Sequence, residues 1–226
     1  MPHRKPPSPP PSNSNGQNFC SYPNRFRELH RLSLTEHTNY DDLYADYLAT
    51  GLILLGMETG LVSHIEGNAY SLLATQPKSR EPLGTSVPLG DVYCQRVVAT
   101  ANTVAVTHVS QDSELRQCAL YKRTGAEAYL AAPIWVGGAI VGTLAFSDRR
   151  IRSNGFSEED RELIELMALG LGQIIDRDNL EQRRALATQK MQENIDLFES
   201  AFHYAAIGMA LVAPNGRWLR VNYAVT

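Results

Sequence analysis

The stretch that decides the fold runs from Ala128 to Ser147 and reads AYLAAPIWVGGAIVGTLAFS. It is uncharged over twenty residues, long enough to cross a bilayer as a helix. Its interior argues otherwise. Pro133 falls near one end and Gly137-Gly138 sits in the middle. A Gly-Gly pair between runs rich in β-branched and aromatic residues is the signature of a two-residue hairpin. The two halves, AYLAAPIWV and AIVGTLAFS, therefore read as paired, buried strands, and no membrane span is expected.

Shorter strands precede this hairpin. Glu58–Glu66 and Ala69–Thr75 are strand-like runs separated by Gly67-Asn68, a second hairpin signal. Pro77 to Gly90 reads as a loop with three prolines and two glycines. Asp91 is placed to cap a helix running to Thr100, with Val92, Val97 and Val98 inward. Thr103–Thr107 reads as a strand. Asp112–Thr124 reads as a short helix closed by Gly125. Upstream, RFRELHRLSL places Phe26, Leu29 and Leu32 or Leu34 at helical spacing. In YDDLYADYLATGLILLG a second helix offers Leu43, Tyr47, Leu48, Ile53 and Leu54 as its apolar side.

The longest helix follows the central hairpin. Ser157 is an N-cap, and Asp160 three residues on completes a capping box with Asp in place of Glu. Leu163, Ile164, Leu166, Met167, Leu171, Ile174 and Ile175 form a dense apolar face. It reads as a docking face on the sheet or a dimer seam. Beyond Ile175 the sequence DRDNLEQRR is mostly charged, and no Gly or Pro interrupts it before Phe198. LFESAFHYAA then reads as a separate short helix. IGMALV and RWLRVN read as strands joined by APNG. A two-strand fragment cannot form its own core, so the chain reads as a piece of a longer protein.

Composition bounds the function. The chain has 226 residues, 43% apolar and 20% charged, with a net charge of −3. Binding to nucleic acid through bulk charge is not expected. Three cysteines do not make a disulfide scaffold and suit a reducing, cytoplasmic setting. Residues 1–22, with half of the twelve prolines in the first eleven positions, read as a disordered tail or a Pro-rich ligand. The sequence contains no P-loop, HExxH, GxSxG or CxxC motif. This leans toward a regulatory or binding protein.

The strings METGLVSHIEGNAYSLLA, PLGDVYCQRVVAT, GAEAYLAAPIWVGGAIVGTLAFSD and FSEEDRELIELMALGLGQII resemble a bacterial GAF domain over residues 23–176. LFESAFHYAAIGMALVAPNGRWLRVN, within 196–226, resembles the start of a PAS domain, with 177–195 as a helical linker. The resemblance implies an α+β fold: a central antiparallel sheet with helices on both sides, a long C-terminal linker helix and an incomplete PAS start. It implies a sensory module, not an enzyme in this chain, in the manner of diguanylate cyclases or sensor histidine kinases. It also implies a homodimer through helices and a small-molecule ligand, with the output domain elsewhere.

The same resemblance nominates site residues. Tyr93, Cys118, Tyr121 and Tyr129 are ligand-pocket candidates; Tyr93, Tyr121, Tyr129 and Trp135 suit a packed core equally. Bilin-binding GAF domains attach their chromophore through a Cys before an Ala-(Tyr/Ser)-Leu-x-x-Pro-Ile strand. Cys118 precedes AYLAAPI in a comparable place, though Ala119 follows where that family has His. Bilin is the one cofactor this suggests; otherwise the cofactor is unknown, and Cys118 also reads as an idle, half-buried thiol. Cys94 is either a thiol activated by a helix N-terminus or a packing residue. Cys20 belongs to no site. His64 and His108 are lone candidates for metal or haem ligation without paired spacing. Sulfoxide reduction, as in one GAF family, would require Cys94 and Cys118 to cooperate. An empty dimerisation scaffold is the remaining alternative.

Overall fold

The computed structural model describes residues 22–77 and 83–225. The proposed tail, with Cys20, falls almost wholly outside them, and so does the middle of the proline-rich loop. The chain divides into two compact units. One contains the chain to Ile134 together with Ile140–Ala168; the other contains Trp135–Ala139 together with residues from Leu169 onward.

Helix α1 (Tyr22–Leu34) begins at the end of the expected tail and buries Leu32, while Phe26 and Leu34 stay exposed. Helix α2 (Tyr40–Leu55) starts where Asn39 Oδ1 accepts the Asp42 N–H at 2.9 Å. It ends at Gly56 in the left-handed region. Ile53, expected inside, is 75% exposed; Tyr44, Thr50, Gly51 and Leu55 are buried instead.

Strands β1 (Thr59–Glu66), β2 (Ala69–Gln76), β3 (Ser86–Pro88), β4 (Val104–Val106), β5 (Ala128–Val136) and β6 (Ala139–Asp148) form one sheet. Its order is β3-β2-β1-β6-β5-β4. The central hairpin stands as expected: Gly137 and Gly138 both have positive φ, which lets two residues reverse the chain. Strand β3 lies within the stretch expected to be all loop; it pairs with β2 through Tyr70 and Val87. The helix expected from Asp91 starts later. Leu89–Asp91 is a 3-10 turn, and α3 spans Cys94–Thr100. The segment expected as one helix at 112–124 is split into a 3-10 turn at Leu115–Gln117 and helix α4 (Ala119–Thr124), closed by Gly125.

Alternation along β6 separates two cores. Phe146 lies on the α2 side, where its ring fills the space above two glycines. A Cβ on Gly51 of α2 would lie 2.1 Å from Phe146 Cζ, and one on Gly60 of β1 would lie 2.8 Å from Phe146 Cε1. Ala145 belongs to the opposite core, with Tyr129, Ala131, Tyr93, Cys94 and Leu115.

Helix α5 (Glu158–His203) is one uninterrupted helix of 46 residues, with no break before the LFESAFH segment expected as a separate helix. The capping box forms: Ser157 Oγ accepts the Asp160 N–H at 3.2 Å, and Asp160 Oδ2 accepts the Ser157 N–H at 3.1 Å. Leu163, Ile164, Met167 and Leu171 are buried, Leu166 is exposed, and Ile174 and Ile175 are half-buried.

In the second unit Gly172 of α5 touches the hairpin turn. A Cβ there would meet the Trp135 carbonyl oxygen at 2.3 Å. Trp135 itself is 43% exposed, so it belongs neither to a core nor to a pocket wall. Strands β7 (Ala210–Val212) and β8 (Trp218–Val221) form a hairpin of their own. Buried Asn222 ties it down: its Oδ1 accepts the Met209 N–H at 2.8 Å, and its Nδ2 donates to Ile207 O at 2.8 Å. Phe198 and Phe202 stack at 5.8 Å on the last turns of α5.

Candidate ligand-binding site

A cavity of about 530 Å³ opens in the first unit, between the sheet and the segment carrying α3 and α4. Strands supply its floor with Leu61, Tyr70, Leu72 and Tyr129, because alternate residues of β1, β2 and β5 point the same way. The far wall is Val92, Tyr93 and Leu120. Arg123, Arg149, Glu58 and Asp148 place charge at its edge. An apolar interior with few polar tips is the usual make-up of a small-molecule site.

Tyr93 and Tyr129 are the two candidates that the structure brings together here. Their rings cross edge to face, with centroids 5.1 Å apart. The Tyr93 hydroxyl donates to Ala126 O at 3.3 Å. The Tyr129 hydroxyl lies 3.3 Å from Cys94 Sγ. Behind it runs a buried polar chain. Thr143 Oγ1 donates to Cys94 Sγ at 3.1 Å, and Ser63 Oγ lies 2.8 Å from Thr143 Oγ1. Ser63 Oγ also accepts the Thr143 N–H at 3.1 Å. Since Thr143 spends its proton on the sulfur, Ser63 donates to Thr143, and each member of the chain is satisfied.

Burial pushes the phenols of Tyr93 and Tyr129 above their ordinary range. Burial likewise raises the Cys94 thiol, outweighing the hydrogen bonds from Thr143 and Tyr129. The activated-thiol reading of Cys94 therefore fails: a neutral, wholly enclosed thiol is not a nucleophile. Cys118 is buried just before α4, with Sγ 3.9 Å from Gly90 O. Its thiol is raised by burial, against the lowering effect of nearby backbone N–H groups. Both thiols are buried, whereas an attacking thiol needs access as well as a lowered pKa.

Neither Cys118 nor Tyr121 is among the described residues that line the cavity. The Tyr121 hydroxyl donates to Glu127 Oε1 at 2.8 Å, and Glu127 Oε2 accepts the Ser110 N–H at 2.9 Å. Burial of Glu127 works to raise its pKa, but these bonds hold it below the ordinary value. Tyr121 is thus a strap for the 108–111 loop. His108 lies beside the same carboxylate, 3.9 Å away, and His64 is exposed on β1. Among the described residues no group of three His, Cys, Asp or Glu side chains could hold a metal ion.

The GAF domain family profile matches residues 36–175. The chain belongs to the GAF family. GAF domains are sensory or regulatory modules, generally not catalytic. Solved GAF structures share the fold at low identity. The GAF domain of a phosphoenolpyruvate-protein phosphotransferase from Coxiella burnetii superposes with a TM-score of 0.61 at 15% identity, covering 71% of this chain and 97% of that one. Free methionine-R-sulfoxide reductase from Neisseria meningitidis, solved with its substrate, gives 0.56 at 18%, over 70% and 92%. A phycocyanobilin-bound GAF domain from a cyanobacterial phytochrome gives 0.53 at 16%, over 70% and 97%. No curated protein sequence matches the chain. Among the described residues no helix is long and apolar enough to cross a membrane.

Sequence reasoning missed several residues of this GAF site: Tyr70, Leu72, Ser63 and Thr143. The signal for Tyr70 and Leu72 was the alternation within Ala69–Gln76, which puts both on one side of the sheet. Ser63 and Thr143 face each other across β1 and β6, a pairing that depends on strand order and not on local sequence.

Proposed function

We propose that the chain is the input half of a signalling protein. A small, largely apolar molecule enters the cavity walled by Tyr93, Tyr129 and Tyr70, and α5 carries the response toward a PAS-type segment and an output domain. The cavity carries this reading. About 530 Å³ is room for a small ring-bearing ligand, and two crossed tyrosine rings offer it flat apolar surface. A ligand that prefers one of two α5 arrangements shifts their balance by its difference in affinity. Covalent bilin attachment has no support in the cavity, because Cys118 is not on its wall.

Two copies pairing through the far half of α5 form part of the same proposal. Leu180, Leu186, Met191, Ile195 and Phe198 are exposed there, and a single helix of this length does not leave such residues in water without cost.

The test is a thermal-shift screen of the full chain with small aromatic acids and cyclic nucleotides. A ligand that binds only the folded state must raise the melting temperature. Val87→Trp, on the short strand β3 at the cavity wall, should abolish the shift while leaving the circular dichroism spectrum intact. A library without a hit, or a hit that survives Val87→Trp, would sink this reading.

A further inference from the structure

Two guanidiniums and two carboxylates stand at the edge of the tyrosine-walled cavity: Arg123, Arg149, Glu58 and Asp148. They balance in number but not in direction. Alternation along β6 sends Phe146 to the α2 side and Ala145 to the cavity side. Asp148 falls in the row of Phe146, and Ser147 in the row of Ala145. Arg149, one residue past the strand, continues the Ala145 and Ser147 row and lines the cavity. The same rule sorts β1. Leu61 pairs with Ala145 and packs on the cavity core, whereas Gly60 faces the Phe146 ring, so Glu58 belongs to the Phe146 row.

The contacts agree with this sorting. Asp148 accepts the Arg150 N–H at 2.8 Å, Arg150 Nε at 3.1 Å and Arg150 NH2 at 2.9 Å. Glu58 adds to the negative field on the same guanidinium. Both carboxylates thus serve Arg150, which does not line this cavity. Arg123 is already engaged. Arg149 is exposed, and among the described residues it has no hydrogen-bond or ion-pair partner. The cavity mouth therefore carries one open guanidinium.

Deeper in, the polar groups are spent. Tyr93 donates to Ala126 O, Tyr129 meets Cys94 Sγ, and Thr124 Oγ1 donates to Leu120 O at 2.8 Å. A charged group pushed among them would lose its water without gaining a partner. An anionic ligand can keep its charge only at the mouth, with its apolar body inward.

We propose, building on the small-molecule reading above, that the ligand is an aromatic acid. Its flat ring lies against Tyr93 and Tyr129, and its carboxylate or phosphate sits at the mouth on the Arg149 guanidinium. A guanidinium fork matches either oxyanion through two parallel N–H bonds. Arg149 then sets specificity against neutral molecules of the same shape, while the tyrosine walls supply the apolar affinity.

The test measures binding to the full chain by calorimetry for matched acid and neutral pairs: benzoate with benzamide, indole-3-acetate with indole-3-acetamide, and phenyl phosphate with phenol. In at least one pair the acid should bind about tenfold more tightly at low salt, and that pair names the anion. Arg149→Met should bring the acid down to its neutral partner. Lys122→Met, which removes the same charge from an exposed position off the cavity wall, should leave the preference standing. If Arg149→Met does not fold, the wild-type ratio still decides, because a contact with an exposed guanidinium weakens as salt rises. Pairs that bind equally, a preference that survives Arg149→Met, one lost as fully in Lys122→Met, or one indifferent to salt would overturn the role of Arg149 and leave the cavity reading intact. Failure of every compound to bind, or binding that survives Val87→Trp, would overturn both.

Discussion

The Phe146 ring occupies the place that a side chain on Gly51 would need: a Cβ built there lies 2.1 Å from Phe146 Cζ. Glycine within a helix normally costs about 1 kcal/mol against alanine. Here that cost is accepted because α2 must approach β6 to within one aromatic ring. Gly51→Ala therefore gains helix propensity and loses packing. The loss wins, since the ring is fully buried and Gly60 blocks its retreat. We expect a net loss of about 2 kcal/mol in urea melts. Phe146→Leu should cost less in the Gly51→Ala background than alone, and strictly additive losses would refute the contact.

The ion cluster at Asp160 gives a second prediction. Asp160 is buried and holds Arg25 and Arg152 together with its own helix cap. Removing it by Asp160→Ala strands two guanidiniums near the α2 carbonyls. The expected loss is about 3 kcal/mol, well above that of an ordinary cap. A loss under about 1 kcal/mol, the size of an exposed pair, would show that the cluster contributes only as a surface bridge.

Acid should weaken the fold through paired carboxylates. The Arg96 guanidinium holds the Asp112 carboxyl well below its usual range, helped by the Leu115 and Glu114 N–H groups. Arg31 does the same for Asp46, with His37 adding to it. These groups bind protons more weakly folded than unfolded. Their stabilisation is therefore complete above the ordinary carboxylate pKa and is lost as pH falls through the folded values. Denaturation midpoints should fall steadily below about pH 4. Arg96→Met should flatten that fall, and a slope unaltered by the substitution would discount Asp112.

Thiol chemistry offers a fourth check. Cys94 and Cys118 are buried, and burial raises both thiols. With Cys20 replaced by Ser, the folded protein should react with a thiol reagent far more slowly than the urea-unfolded chain, by 10²-fold or more on the scale of about 3 kcal/mol of opening free energy. Fast labelling of Cys118 in the folded protein would reopen its candidacy as an attachment point.

The C-terminal hairpin should exchange its amides quickly, since two strands alone are marginal. The N–H groups of Met209 and Asn222 are the expected exceptions, because Asn222 and Met209 bond each other through backbone and side chain. Asn222→Ala should erase the protection of the Met209 N–H, whose acceptor is the Asn222 side chain. Slow exchange along all of Ala210–Val221 in both proteins would contradict this account.

Local chemistry made much of the fold legible. Gly137-Gly138, Gly67-Asn68 and the Ser157/Asp160 box act over two to four residues, and each forms where the sequence places it. The site was only half legible. Tyr93 and Tyr129 cross edge to face beside the cavity, while Tyr121 turns away because Glu127, six residues on, offers its hydroxyl a carboxylate. Ile53 looked like core by spacing, yet the Phe146 ring shifts the buried side of α2 toward Gly51 and Leu55. The choice of buried side rests on a ring from the far end of the sheet sequence, which periodicity within one helix does not encode. The Ser63–Thr143 contact is of the same kind, joining residues 80 positions apart.

The unbroken course of α5 has a consequence for how the protein tolerates change. At 1.5 Å per residue its 46 residues span about 69 Å, and each added residue turns the remainder of the helix by roughly 100°. One insertion between 177 and 195 would swing Phe198 most of a third of a revolution away from its present bearing relative to Leu171. Seven would return it to within about 20°. The segment therefore behaves as a keyed shaft: its length can change by whole pairs of turns, and other changes put the two ends out of phase.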